Sequence, residues 1–244
     1  MTRATDGVTG ATRGTADAGA EHQKYRRPEP TFARAVAKAL GDAGTVLEVR
    51  PDTPAAPPSY APAGRQVTTV PVSDEPLAFA DGSFDAALVV LAVHEWADLE
   101  QGLAEVRRVT RGPIVLLARD PDHVEQFWLA EYAPEVLAAE ARRHPALARI
   151  RDALGPDAVT TALPIPFTCV DGFTEAYYAR PERLLDAGAR RADPVWDLVD
   201  EMTARRSVAA LRNAIESGEW DSRHGALRVQ PSYPGSLVLV VAPT

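Results

Sequence analysis

The stretch Asp85-Ala-Ala-Leu-Val-Val-Leu-Ala-Val93 constrains the fold more than any other part of the sequence. It is apolar at odd and even positions alike, so a strand built from it tolerates water on neither face. A central parallel strand with helices on both sides buries such a segment completely. The run is far shorter than the roughly 20 residues a membrane-crossing helix needs. The turn Asp81-Gly82-Ser83 leads into it, and Asp98 is placed to cap a helix carrying Leu99, Leu103 and Val106 on one face. Pro113 to Ala118 supplies the next strand, and the order strand, helix, strand calls for a right-handed parallel crossover.

Elements of the same kind lie on either side. Phe32, Val36 and Leu40 recur at helical spacing behind Thr31 as N-cap, with Gly41 and Gly44 beyond the last turn. Thr45 to Val49 reads as a buried strand, and five prolines between Pro51 and Pro62 exclude a helix after it. Gln66 to Val72 is a further strand, as are Val159 to Phe167 and Ser236 to Ala242, with a largely helical stretch from Asp171 to Ser217. The first 24 residues offer little apolar surface to offset the entropy of ordering and are expected to form a disordered tail. Residues 25–244 are expected to form one domain.

Of the 244 residues 45% are hydrophobic, enough for one large core. The formal charge of -8 argues against a surface that neutralises phosphates, so nucleic acid is not an expected partner. Cys169 is the single cysteine, which excludes an intrachain disulfide and a thiolate metal cluster and fits a reducing cytoplasm. The N-terminus has no apolar signal core, and no membrane association is expected. A small molecule is the expected partner, with a homodimer left open as the assembly.

The segment LAFADGSFDAALVVLAVHEWADLEQGLAEVRRVTRGPIVLLARDP, Leu77 to Pro121, resembles the middle of class I S-adenosylmethionine (SAM)-dependent methyltransferases of the small-molecule type. TFARAVAKALGDAGTVLEV is similar to the first helix and strand of that family. FWLAEYAPEV, DGFTEAYYARPE and WDSRHGALR resemble the later half of a group of actinobacterial methyltransferase-like proteins. The resemblance implies a doubly wound, mostly parallel, Rossmann-like α/β sheet, reduced in its cofactor-binding half. It also implies a helical lid, at about 121–157 and 171–230, over the sheet's carboxyl edge. Fold alone does not supply the activity.

The cofactor positions depart from the family. Its first strand runs into Gly-x-Gly-x-Gly, where this chain has Arg50, Asp52 and Pro54. Arg50 would set a guanidinium beside a cationic sulfonium, and Pro71 stands where an acid would hold the ribose. Only Asp74 to Leu77 separates Ser73 from the resemblance downstream, where the family has a helix and a strand. Glu48, the first-strand acid, is retained. From these departures the expected cofactor is none. The expected function is a non-methylating reaction of bacterial small-molecule metabolism, such as cyclisation, isomerisation or elimination. Methyl transfer with an atypical SAM pose and a non-catalytic partner role are the alternatives.

His94 ends the central strand at the edge where open parallel sheets bind ligands, and is the first candidate for proton transfer. Glu95 beside it should face the other way, and His94-Glu95 is not a metal motif because position 98 is Asp98, so no metal is expected. Asp120 ends the next strand and is a second catalytic candidate, with helix capping as its alternative. Tyr177 and Tyr178 begin the lid, and at most one of them can point inward. Trp96, Trp128, Glu131, Tyr132, Phe173 and His224 are the candidate substrate contacts. Cys169 is expected in the core.

Overall fold

The computed structural model describes residues 22–243. Eight strands form in chain order: β1 Thr45–Arg50, β2 Gln66–Pro71, β3 Ala86–Val90, β4 Ile114–Arg119, β5 Val159–Ala162, β6 Ile165–Pro166, β7 Ser232–Tyr233 and β8 Leu237–Ala242. Six of them make one sheet in the order β2-β1-β3-β4-β8-β5, and β6 pairs with β7 alone. The first four run parallel, while β8 is antiparallel to both β4 and β5. This is the doubly wound, mostly parallel α/β sheet expected from the sequence, with β2 at its edge.

Both faces of the central strands are buried, which is why their sequences do not alternate. Leu88, Val90, Val115 and Leu117 face one core, which takes in Phe32 and Val36 of helix α1, Pro30–Ala39. Ala87, Val89, Ile114 and Leu116 face the other, covered by Leu99, Leu103 and Val106 of α2, Leu99–Val109. At about 25 cal/mol per Å², this two-sided burial is the main stabilisation of the sheet. Asp98 caps α2 by accepting from the Gln101 N-H at 2.9 Å, as its position predicts.

Four local expectations are corrected. The cap of α1 is Glu29, not Thr31, because Pro30 occupies the first helical position and leaves the Thr31 N-H for the Glu29 carboxylate. The strand expected over 85–93 stops at Val90, because Leu91 has φ +48° and turns the chain off the sheet. The strand expected over 159–167 breaks into β5 and β6, which pair with different partners. The expected tail falls mostly on residues 1–21, outside the described residues, while 22–25 form a helical turn.

Past β4 come α3 Pro121–Val124, α4 Pro134–Arg143 and α5 Leu147–Leu154. Past β6 come α6 Ala187–Arg191, α7 Glu201–Glu216 and α8 Glu219–His224, joined by short 3-10 turns. Among the described residues no helix is long and apolar enough to cross a membrane.

Candidate functional site at the carboxyl edge of the sheet

A cleft opens where β1, β3 and β4 end. Its first wall is the segment after β1, with Pro51, Thr53, Ala55 and Pro57, and its second is Leu91, His94 and Glu95 after β3. Arg119 at the end of β4 forms the floor, and Glu140, Arg143 and His144 come from the end of α4. Arg26, Asp193 and Pro194 close it from above. The space inside is about 50 Å³, room for a few waters.

The floor is a buried ion network. Arg119 pairs with Glu175 at 2.7 Å and with Glu140 at 3.3 Å, and Glu175 also accepts from the Ser236 hydroxyl at 2.6 Å. Burial opposes the charge on Arg119, but these two carboxylates overcome it and raise its pKa. The Arg119 guanidinium lies 5.0 Å over the ring of Phe173, which supports it from below.

Above the floor, His144 Nε2 donates to Glu140 Oε1 at 2.9 Å, while Arg143 donates to Nε2 of His94. The two imidazoles meet edge to face with centroids 4.7 Å apart. The remaining nitrogen of each, Nδ1, is buried without a hydrogen-bond partner. Burial, then the charges of His144 and Arg143, pushes the His94 pKa down to about 3. Burial likewise lowers that of His144, against the raising effect of its bond to Glu140. Glu140 is held at about 2: burial raises it, but the His144 hydrogen bond and the Arg119 charge prevail. Both histidines are therefore neutral at physiological pH.

His94 thus lies where the sequence placed it. Glu95 was expected to point away, but the left-handed turn at Leu91 ends the strand, and His94 Nε2 and Glu95 Oε1 come to 3.9 Å on the same wall. Burial raises the Glu95 pKa, with Arg143 acting against it.

The other candidates are not in this cleft. Asp120 caps α3, accepting from the Asp122 N-H at 3.1 Å and facing His123 Nδ1 at 2.8 Å. Trp96 packs on α2, where a Cβ at Gly102 would come within 2.5 Å of its ring, and its indole N-H donates to Ser73 O at 3.1 Å. Tyr178 donates to Gln230 O at 2.7 Å and stacks on Tyr233, and Tyr177 is buried beneath Arg180 and Arg183. Burial raises the pKa of both tyrosines. Trp128, Glu131, Tyr132 and His224 do converge, but on one another: Trp128 lies 6.2 Å from Tyr132 and 6.0 Å from His224, and Glu131 pairs with His224 at 3.1 Å. Cys169 is in the core, its thiol pushed up to about 12 by burial and Asp171.

Glu140, Arg143, His144, Arg119 and Asp193 were missed by sequence reasoning. The Arg142-Arg143-His144 run at the end of α4 was the one available signal, and in sequence it reads as charges placed against a helix C-terminus. A larger surface groove of about 650 Å³ lies between α6 and α7, lined by Arg190, Arg191, Trp196, Arg205 and Arg212. It takes no residue from the sheet edge.

Arg50 is not among the lining residues; it donates to Pro57 O and lies 3.9 Å from Glu48. Glu48 is itself buried and occupied, accepting from Ser59 Oγ at 2.7 Å and Thr69 Oγ1 at 3.2 Å. The segment after β1 lines the cleft with Pro51, Thr53, Ala55, Ala56 and Pro57, none of which stands at the three glycine positions.

Residues 33–113 match the family profile described as a methyltransferase domain. No curated protein matches the chain by sequence. The crystal structure of a proposed methyltransferase from an antibiotic biosynthesis pathway of Anabaena variabilis ATCC 29413 superposes with a TM-score of 0.76. It is 21% identical, and the match covers 90% of this chain and 99% of that one. A geranyl diphosphate C-methyltransferase from Streptomyces coelicolor A3(2), in complex with Mg2+, geranyl diphosphate and S-adenosyl-L-homocysteine, is 12% identical over 87% of this chain and 78% of that one, with a TM-score of 0.42. The expectation of no cofactor is corrected by the domain match, which points to SAM. The residues of the cleft fit such a ligand by charge and by hydrogen bonding: carboxylates stand beside guanidinium groups, and two buried nitrogens lack partners. Residues 33–113 are similar to a methyltransferase domain, and the chain has the class I methyltransferase fold.

Proposed function

We propose that the chain is a SAM-dependent methyltransferase acting on a small molecule, and that it holds its cofactor without a glycine-rich turn. The observation that carries this reading is the cleft itself: on a methyltransferase fold, charged and unpartnered polar groups converge at the carboxyl edge of β1, β3 and β4. SAM, when bound, supplies an electrophilic methyl group. Arg143 is the guanidinium suited to the ligand's carboxylate, and Glu95 is the carboxylate suited to its cationic part. Thr53, Ala55 and Ala56 are the small side chains on the wall that would face the ligand. Arg119 and Glu140 hold the floor rigid and keep bulk water out.

Because the cleft holds only about 50 Å³, ligand binding must part the segment after β1 from the residues at 193 and 194. Non-methylating chemistry and a purely docking role are favoured by the missing glycines, by Pro71 at the ribose position and by the short stretch between Ser73 and Leu77, whereas the domain match over residues 33–113 favours methyl transfer. The test is calorimetric titration with S-adenosylhomocysteine, with a thermal shift as the second measurement. Saturable binding that Arg143→Met weakens at least tenfold is expected. No binding heat and no shift at millimolar ligand would overturn the reading.

A further inference from the structure

We propose that His144, oriented by Glu140, is the proton acceptor of the cleft, and that it works on an acidic hydroxyl, of the phenol or enol class, which His94 positions. The inference rests on the methyltransferase reading and deepens it by naming the base and the acceptor chemistry.

The argument starts from which nitrogen of each ring is engaged. His144 Nε2 faces a carboxylate oxygen at 2.9 Å, an acceptor only, so this nitrogen carries the proton and Nδ1 keeps its lone pair. His94 Nε2 faces the guanidinium of Arg143, a donor only, so here Nε2 accepts and Nδ1 carries the proton. The two neutral rings are therefore opposite tautomers. The partnerless Nδ1 atoms are then one donor, on His94, and one acceptor, on His144.

Both side chains are more than nine-tenths buried, at 8% and 2% exposure, so each orphan costs free energy until a ligand meets it. A hydroxyl oxygen is the group that answers both: it accepts from His94 Nδ1-H and donates to His144 Nδ1. The two rings meet edge to face with centroids 4.7 Å apart, and both line the same cleft.

In the proton step the O-H bond of the acceptor breaks and its electron pair stays on oxygen, ready to bond carbon. The proton goes to His144 Nδ1, and the imidazolium formed is stabilised by the Glu140 carboxylate. His94 Nδ1-H faces the oxyanion, while Arg143 holds the other nitrogen of that ring. His94 is excluded as the base because its lone pair is taken by Arg143. The remaining charges around the pair are Glu95 and Arg119, with Arg26 and Asp193 above. Burial lowers the His144 pKa, so an acidified hydroxyl gives up its proton to it more readily than an alkanol does.

The experiment is long-range proton–nitrogen correlation spectroscopy on the nitrogen-15-labelled full chain at neutral pH, with His94→Gln and His144→Gln for assignment and phenol as probe. The expected spectra show a proton on Nδ1 of His94 and on Nε2 of His144, with phenol shifting the His144 Nδ1 signal and leaving that of surface His123 in place. Glu140→Ala should admit the Nδ1-protonated form of His144, and Glu140→Gln, which keeps an acceptor oxygen, should not. A proton on His144 Nδ1 in the unaltered chain, an imidazolium at neutral pH, or a His144 signal that phenol leaves unmoved would overturn the inference. Failure of the cofactor reading is separate: it appears as absent S-adenosylhomocysteine binding with these spectra unchanged.

Discussion

His94 and His144 meet edge to face across the cleft at an interplanar angle of 76°, and neither carries a charge at physiological pH. Two imidazolium rings at that separation, beside Arg143 and Arg119, would repel one another in a site with little water to screen them. Neutrality is therefore a condition of the folded cleft, and its consequences can be measured.

Acid should destabilise the fold through this pair. Both pKa values lie below the unfolded histidine value of 6.5, so below that pH the unfolded chain binds protons that the folded chain refuses. Stability is complete above about pH 6.5 and falls as pH drops toward 3, with His94 alone accounting for about 2 kcal/mol by pH 5. Urea unfolding at pH 7, 6 and 5 checks this, and His94→Gln should flatten the slope. Equal midpoints at pH 7 and pH 5 would refute it.

Removing Arg119 should be among the most damaging single changes. Arg119→Met strands the carboxylates of Glu175 and Glu140 in the interior, and loss of one partner of a buried pair costs about 3 to 5 kcal/mol. Adding Glu175→Gln should recover part of that loss, because the charge left unpaired is then smaller. Denaturant midpoints of the single and double variants measure the difference.

Asp120→Ala should separate stability from ligand binding. The carboxylate caps the first turn of α3, so its loss should lower stability by about 0.5 to 2 kcal/mol. Because its carboxylate is engaged as a cap and is not among the cleft's lining residues, S-adenosylhomocysteine affinity should be unchanged in calorimetry. A tenfold weaker affinity would return Asp120 to the site.

Gly102→Ala should lower the melting temperature although alanine is the better helix former. The new Cβ would come within 2.5 Å of the buried Trp96 ring, and overpacking of this kind costs about 1 to 3 kcal/mol, more than the roughly 1 kcal/mol of propensity gained. Trp96→Phe combined with Gly102→Ala should restore much of the loss. A melting temperature raised by the single change would contradict the packing described.

The sheet was legible in the residues because its information is local. Asp85 to Val93 is apolar on both faces, Asp98 announces a helix start, and the strands at 45 and 114 follow from apolar runs, while the strand at 66 is a half-exposed edge strand. The position of His94 at the edge follows from where such a strand ends. What could not be read was the backbone reversal at Leu91, since a positive φ in leucine has no sequence signature and depends on the surrounding packing.

The amino-acid sequence by itself determined the two-faced parallel core, its methyltransferase likeness and the first of the two histidines. Only the tertiary structure decided that Glu140, Arg143 and His144, roughly 50 residues further on, meet His94, that Arg50 is bound to Pro57 O, and that Trp96, Asp120, Tyr177 and Tyr178 serve packing and capping. The physical reason is that burial pattern follows from side-chain periodicity along a segment. Which polar groups share a cleft, and which nitrogen of each ring is left unpaired, follows from the crossing of chains distant in sequence, where hydrogen-bond partners are assigned by geometry.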